Sequence, residues 1–390
     1  MRRNPNFELL SYDVPEQRQK WRDIYDNFSK IDIFYYPEYV YLFELKGDGK
    51  AQCFVYYNKH GIVIFPFLKR RINDLDIFGD ILDNIRDITS PYGFSGYLRN
   101  NDKIDIDRFY KVFDSYYCKN NNIVSEFVRF HPILENVLYS PSAVKTNKMN
   151  ETVMIELTLT PVEIWENLTS VCRNMIRKAR KFDIEVIHDE FFENLDKFHE
   201  LYTKTMQRLG AQEYYFFKID WFRNLIKFLN GKVALFHAKY QNTIILSCMF
   251  LMSDEYIHYF LSGSDRKMAY MAANNLLLYE VALWAKNRDK KIFNLGGGIQ
   301  PGDSLFRFKA SFSSKRSEFY TGNVIHNNEL YANLCRKRWG EGGGEQIQED
   351  FFPLYRILKK NKFIRLLSML LICTPEIFIQ LLPLLQDNMV

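Results

Sequence analysis

The pattern of apolar and polar positions from Tyr256 to Phe312 organises the chain. Tyr256-Ile257-His258-Tyr259-Phe260-Leu261 predicts a buried strand, and Ser262-Gly263-Ser264-Asp265 a loop after it. Apolar residues then recur at helical spacing: Leu277, Val281 and Trp284 at i, i+4 and i+7, flanked by Leu278, Ala282 and Ala285. That predicts a helix over 275–287, with Asn274 or Asn275 as its N-cap. A second strand, Lys291-Ile292-Phe293-Asn294-Leu295, runs straight into Gly296-Gly297-Gly298, and Ser304 to Phe312 follows as a Phe/Lys-rich segment. Three glycines after a buried strand make a tight turn or let backbone come close to a ligand, because no Cβ intervenes.

The same order of elements recurs upstream. Ala51–Tyr57 and Ile62–Leu68 predict a hairpin around Asn58-Lys59-His60-Gly61. A loop from Asp87 to Gly96, a helix over 108–119 and a strand over 123–130 follow. In the second half, 232–240 and 243–252 pair around Gln241-Asn242 before the strand, helix and strand described above. The repeated order predicts an approximate internal duplication. Between the halves, 151–159 predicts a strand and Thr158 or Thr160 with Pro161 a helix start. A basic helix over 168–181 and an amphipathic helix over 191–209, ending at Gly210, come next. Ser317 to Ile325 predicts a returning strand or extension. Gly340 to Glu345 has the composition of a flexible linker, and 366–385 is apolar but broken by Pro375 and Pro383.

Length and composition narrow the class. A chain of 390 residues, 47% hydrophobic and 16% aromatic, suggests two domains and can bury a large core. Its net charge of +5 permits an anionic substrate without requiring nucleic acid. Six scattered cysteines without a C-x-x-C pair argue against a disulfide framework and for a reducing compartment. Seven histidines without H-x-x-x-H spacing give no reason to expect a metal. The N-terminal MRRNPNFELLSYDVPEQ lacks the apolar stretch of a signal peptide, and no run reaches the roughly 20 apolar residues of a spanning helix.

The basic helix carries candidate chemistry. In the basic helix Arg173, Arg177 and Lys181 stand four apart, on one face, with Lys178 beside them and no interleaved acids. Such a stripe is either a solvated surface or a site for phosphate or carboxylate, whose paired oxygens match an arginine fork. No Ser/His/Asp or Cys/His nucleophile pattern is visible, so group transfer would go by direct attack without a covalent enzyme intermediate.

The segments Ser262-Gly263-Ser264, Asn274-Asn275-Leu276-Leu277, Ala282 to Ala285, Asn294 to Gly298 and Ser304-Leu305-Phe306-Arg307-Phe308-Lys309 resemble the second domain of the Fem-type (FemABX) peptidoglycan bridge aminoacyltransferases. They also resemble their relatives in the GNAT superfamily of N-acyltransferases. Tyr35 to Tyr39 and Ser90-Pro91-Tyr92-Gly93 match the same family in the first half, and the resemblance covers roughly residues 30 to 335. It implies an α+β fold of tandem GNAT-like domains, mixed sheets flanked by helices. The first domain would span 1–150 with a chain return at about 317–338, the second 151–316, and a Gly-rich linker and apolar tail 339–390.

By the same resemblance the activity is transfer of an aminoacyl or acyl group to an amine of a peptidoglycan-precursor-like acceptor. Lys309 would be catalytic, holding the donor end or stabilising the transition state. Arg173, Arg177 and Lys178 would lie near a pyrophosphate or the donor end. Asn274, Gly296, Gly297, Gly298 and Phe308 would contact the donor, and the glycine N–H groups would face the developing oxyanion. Tyr36, Asp87 and Tyr92 would line the acceptor groove. The residues themselves identify no general base: the candidates are Asp87, Glu213 and the substrate itself. No tightly bound cofactor is implied. After the strand that ends in Ser262-Gly263-Ser264 the chain lacks the Arg/Gln-x-x-Gly-x-Gly/Ala loop of CoA-dependent GNAT enzymes, which favours aminoacyl-tRNA over acyl-CoA as donor. The readings left open are an acetyl-CoA-dependent N-acetyltransferase and a non-catalytic GNAT-fold binding module. A cytoplasmic location follows, at the inner face of the membrane if the basic and apolar 356–386 stretch touches lipid rather than protein; no DNA partner is expected.

Overall fold

The computed structural model describes residues 6–75, 78, 84–298, 300–340 and 351–357. The chain divides into two compact units. One runs to Met149 and resumes at Phe319; the other takes Asn150 to Glu318.

The first unit begins with β1 (Phe7–Ser11), α1 (Pro15–Asp26), α2 (Pro37–Leu45), β2 (Lys50–Asn58) and β3 (Gly61–Arg71). It continues with β4 (Arg86–Thr89), β5 (Leu98–Arg99), α3 (Ile106–Phe113) and β6 (Ile123–Arg129). The second unit is entered through β7 (Lys145–Glu156). It holds α4 (Pro161–Asn167), α5 (Ser170–Lys181), β8 (Glu185–His188), α6 (Leu195–Arg208), α7 (Ile219–Phe228), β9 (Val233–Tyr240) and β10 (Thr243–Met252). Then come β11 (Tyr256–Ser264), α8 (Ala273–Lys286), β12 (Ile292–Gly296) and α9 (Ser304–Ala310). Through β13 (Arg316–Ile325) the chain returns to the first unit, where α10 (Asn328–Trp339) follows.

Each unit repeats one plan. In the first, the strands lie in the order β1-β2-β3-β4-β6-β13. Neighbours from β1 to β4 are antiparallel, and β6 lies parallel to β4 after the α3 crossover. In the second the order is β8-β9-β10-β11-β12-β7, again antiparallel up to β11 and parallel across the α8 crossover. Helix pairs occupy equivalent places, α1 and α2 before β2, α6 and α7 before β9. The duplication read from element order is therefore present strand for strand. Two such units of mixed sheet and helices make an α+β chain.

Local chemistry explains the boundaries that matter. Thr160 and Glu163 close a capping box at α4 with Pro161 at its first position. Gln241 and Asn242 both take positive φ, 45° and 66°, in the two-residue turn that suits the twist of β9 and β10. In the second unit α5 and α8 bury Cys172, Ile176, Ala179, Leu277, Val281 and Ala285 against the face of the sheet that carries Phe236, Phe250 and Tyr259. On the opposite face α6 comes so near β11 that a Cβ at Gly263 would stand 2.2 Å from the Tyr202 backbone nitrogen. Only glycine permits that contact.

Two expectations need correction. Asp87 lies in a strand, β4, and not in a loop; the four-residue run Arg86-Asp87-Ile88-Thr89 is too short and too polar to announce itself. The stretch after Gly340 is also not linker throughout. Within 351–357, Tyr355 is fully buried, its hydroxyl 2.7 Å from Ser125 Oγ and donating to Asp87 Oδ2 at 2.8 Å. Residues 341–350 and 358–390, with the remainder of the expected linker and the apolar tail, lie outside the described residues.

Candidate active site

β11 and β12 run parallel only from Tyr256↔Ile292 to His258↔Asn294. Past that register β11 continues to Ser264, whereas β12 stops at Gly296 and the glycine turn begins. Two strands that part leave polar backbone without a ladder partner. The second unit meets this with side chains. Asn294 Oδ1 accepts the Gly296 N–H at 2.8 Å, while Asn294 Nδ2 donates to His258 Nδ1 at 3.3 Å.

Into the same place α9 brings Lys309. Asp303 starts this helix by accepting the Phe306 N–H at 2.7 Å. The Lys309 side chain is fully buried; its Nζ donates to the Gly297 carbonyl at 3.1 Å and stands 5.8 Å from the centre of the Tyr259 ring. The Tyr259 hydroxyl in turn donates to Ser262 Oγ at 2.9 Å. The Lys309 amine is thus shielded from water beside a ring face and a backbone carbonyl, a place where a charge would act strongly.

The glycine turn differs from expectation. Gly296, with φ at 75°, has its N–H engaged by Asn294, and the carbonyls of Gly297 and Gly298 accept from Lys309 and from Asn150 Nδ2, the latter at 3.1 Å. The turn thus presents acceptors to cations and amides, and at Gly296 no N–H is left for an oxyanion. Its glycines are demanded by packing. A Cβ at Gly297 would meet the Glu151 carbonyl at 2.4 Å, and one at Gly298 would meet Asp303 Oδ1 at 2.3 Å.

A cavity of about 180 Å³ opens at the N-terminal end of α8, between the last residues of β11 and α9. Leu246, Ser264, Met268, Ala273, Asn274 and Phe308 line it. α8 starts after Ala272, which takes φ 58°, and no side chain caps it. Asn274, expected as a cap, lies in the first turn instead, and its buried Oδ1 has no hydrogen-bond partner among the described residues. Asn275 Nδ2 donates to Cys172 Sγ at 3.6 Å.

The basic helix, α5, divides its cations between tasks. Arg173 turns back onto α4, Nη1 donating to the carbonyls of Leu168 at 2.6 Å and Glu166 at 3.0 Å, and so closes a helix C-terminus. Arg180 pairs with Glu280 at 2.9 Å. Arg177 is exposed, its guanidinium 5.4 Å from the Trp165 ring centre and bonded to Asn174 at 3.0 Å; Lys178 is partly exposed.

Tyr36, Tyr92 and Asp87 belong to the first unit. Tyr36 is half-buried before α2, edge-on to Tyr25 at 5.0 Å. Tyr92 is half-buried, and its carbonyl accepts the Tyr39 hydroxyl at 2.6 Å. Asp87 is corrected outright. It is fully buried between Arg70, at 2.8 Å, and Arg356, with Tyr355 on the same carboxylate. Burial alone would raise its pKa, but the two guanidiniums outweigh burial and hold it low. A carboxylate so engaged is a structural anchor, with no room for an acceptor amine. Glu213, the other base candidate, sits exposed in the 3₁₀ turn Glu213–Tyr215. Sequence reading did not single out Tyr259, Ser262 or Asn294 as site residues: Tyr259 and Asn294 looked like ordinary strand positions and Ser262 like the start of a loop, whereas β11 continues through Ser262 to Ser264.

Residues 167–310, which include α5, the strand parting, the cavity and Lys309, match the acetyltransferase (GNAT) domain family. The chain carries a GNAT acyltransferase domain. Around that domain the wider fold is Fem-like. The crystal structure of FemX superposes with a TM-score of 0.62 at 13% identity, covering 84% of this chain and 99% of that one. A conserved protein of unknown function from Bacteroides thetaiotaomicron VPI-5482 follows, with a TM-score of 0.53, 10% identity, and coverage of 82% and 100%. At such identities these likenesses are of fold. No curated protein matches significantly in sequence. Among the described residues no helix is long and apolar enough to cross a membrane.

Proposed function

We propose that this GNAT acyltransferase moves an aminoacyl or acyl group from aminoacyl-tRNA to an amine of a cell-envelope acceptor of the peptidoglycan-precursor kind, with Lys309 as the catalytic residue. The observation that carries the reading is the buried Lys309 amine beside Gly297, where β11 and β12 part. The neutral acceptor amine attacks the ester carbonyl of the donor. Charge gathers on the carbonyl oxygen, and the Lys309 ammonium stabilises it. The tetrahedral intermediate collapses as the carbonyl carbon–ribose oxygen bond breaks, and the amine's extra proton passes within the substrates to that oxygen, which leaves as the ribose hydroxyl. A preplaced charge in a dry site is the largest single contribution such a reaction can draw from a protein. Asn274 and Phe308, on the cavity at the start of α8, would hold the donor's acyl end, and Arg177 and Lys178 its phosphates. The cavity, about 180 Å³, is below the roughly 300 Å³ at which pockets begin to hold drug-sized ligands, and it suits an acyl end better than a whole donor.

A second reading, acetyl-CoA as donor, is kept for the acetyltransferase family match. Against it, the chain before α8 is a 3₁₀ turn, Arg266–Met271, followed by a left-handed Ala272, in place of a glycine loop that would cradle a pyrophosphate. A cytoplasmic protein working at the inner face of the membrane is the setting this function requires. The test is donor binding. The purified chain is titrated with aminoacylated tRNA, uncharged tRNA and acetyl-CoA, each against Lys309→Met. Saturable binding of charged tRNA that uncharged tRNA does not reproduce supports the proposal. Binding of acetyl-CoA alone replaces it with the second reading, and binding of none assigns the chain as a non-catalytic module.

A further inference from the structure

Away from this site, in the first unit, α3 does not end cleanly. It passes into a π-helical turn, Asp114–Cys118, which is a costlier geometry than α-helix and is met most often at functional sites. The turn puts Asp114 and Cys118 beside His326, which lies just past the end of β13. One carboxylate oxygen, one thiol sulfur and one ring nitrogen from these residues all lie within 4.8 Å of one another. Around them stands a supporting shell. His326 Nδ1 is 3.0 Å from Asp114 Oδ1, and His326 Nε2 is 3.2 Å from Glu126 Oε2. Glu126 is fully buried and accepts from the hydroxyls of Tyr97 and Tyr110, the latter at 2.9 Å. Lys119 holds the second oxygen of Asp114 at 3.3 Å.

From this arrangement we infer a divalent transition-metal site, with zinc as the matching ion, bound by Asp114, Cys118 and His326. One nitrogen, one sulfur and one oxygen donor form a ligand set that zinc accepts. Tetrahedral zinc with bonds of about 2.0–2.3 Å needs donors roughly 3.3–3.8 Å apart, so the present spacing closes on an ion with small side-chain shifts. The shell is also of the right kind. A ligating histidine ordinarily gives its other ring N–H to a carboxylate, and Glu126, fixed by two tyrosines, stands in that position for His326. Asp114 is partly exposed, which leaves the fourth position to water. On binding, the Cys118 thiol loses its proton to solvent as the sulfur–metal bond forms. The site joins the return of the chain to the end of α3, so an ion there would tie together segments 212 residues apart. Spacing along the sequence could not reveal it, because two ligands come from one helical turn and the third from the far side of the second unit.

Without an ion the same groups form a buried ion network, and Cys118 is then only a small apolar side chain. The two alternatives are separated with Zn²⁺ and Co²⁺ added to the full chain freed of metal. The inference expects one ion bound per chain, a sulfur-to-Co²⁺ charge-transfer band in the near ultraviolet, and release of the thiol proton. Cys118→Ser should abolish the band, and Glu126→Gln should weaken zinc binding about 10- to 100-fold. Thermal unfolding of each variant with and without zinc supplies a second measurement: wild type gains stability with zinc, and a folded Cys118→Ser gains little. Absence of a one-to-one complex, or a charge-transfer band that survives in Cys118→Ser, overturns the inference and leaves the ion network.

Discussion

Lys309 Nζ and the Gly297 carbonyl oxygen are 3.1 Å apart, the amine on α9 and the acceptor on the turn that ends β12. The contact fixes a buried amine to the rim of the opening between two parallel strands, and two features of it are separately testable. One is the charge proposed for the amine. The other is the close seat of α9 on the turn.

Lys309→Met keeps the length and apolar stem and removes the charge. We expect kcat/KM to fall by roughly 100- to 1,000-fold, the range seen when one stabilising donor is lost, with the urea midpoint held or raised. Gly298→Ala acts through the seat, because its Cβ would stand 2.8 Å from Phe306 Cβ and displace the start of α9. It should lose activity while costing about 1–3 kcal/mol of stability. Steady-state kinetics alongside urea unfolding measure both; a fully active Lys309→Met would remove this residue from the mechanism.

Arg173 and Arg177, alike in sequence, should behave oppositely. Arg173→Ala frees the carbonyls at the end of α4 and should cost about 1 kcal/mol, with KM for the donor little changed. Arg177→Ala should leave stability alone and raise donor KM. With a tRNA donor it should also reduce the slope of log KM against log salt by about 0.7–0.9, the value for one phosphate contact. If both variants shift KM equally, the division of the helix into a capping and a binding arginine is wrong.

Asp87→Asn should unfold the first unit more easily and do nothing specific to substrate. Removing the one carboxylate between Arg70 and Arg356 leaves two guanidiniums without their buried counter-charge, a loss of about 3–5 kcal/mol. Chemical denaturation gives the number. Wild-type stability in this variant would mean that Asp87 is not the anchor described here.

His237 sets a pH dependence in the second unit. It is fully buried, 2.7 Å from Ser247 Oγ through Nδ1 and 3.1 Å from Asp189 Oδ2 through Nε2. Burial lowers its pKa and outweighs the pull of Asp189. The unfolded chain therefore binds a proton here that the folded chain resists. Stability is fully present above the unfolded value, about 6.5, and falls as pH drops towards the lowered one. Asp189 works in the same direction at more acid pH, since hydrogen bonds hold its pKa low against burial. Urea unfolding from pH 7.5 down to 5 should show a declining stability that His237→Gln flattens. An unchanged profile in that variant would move the dependence to other groups.

Much of this protein is written locally. The helical spacing of Leu277, Val281 and Trp284 and the Gln241-Asn242 turn depend on neighbours a few residues away, and so does the capping of α4 by Thr160. These elements could be read in order, including the repeated plan of the two units. Lys309 could be named because it follows Phe308 in a recognisable segment. What the sequence could not state was where charges end up. Arg173 and Arg177 are equivalent on a helical projection, and only the position of α4 turns one into a cap. Asp87 reads as a loop carboxylate until β4 and the segment at Tyr355 and Arg356 enclose it from 268 and 269 residues away. The glycines after β12 suggested N–H donors, yet the parting of β11 and β12 turned their carbonyls toward Lys309 and Asn150. Hydrogen-bond satisfaction and ion pairing in a buried site are settled by groups distant in sequence, and for these the tertiary structure alone decides.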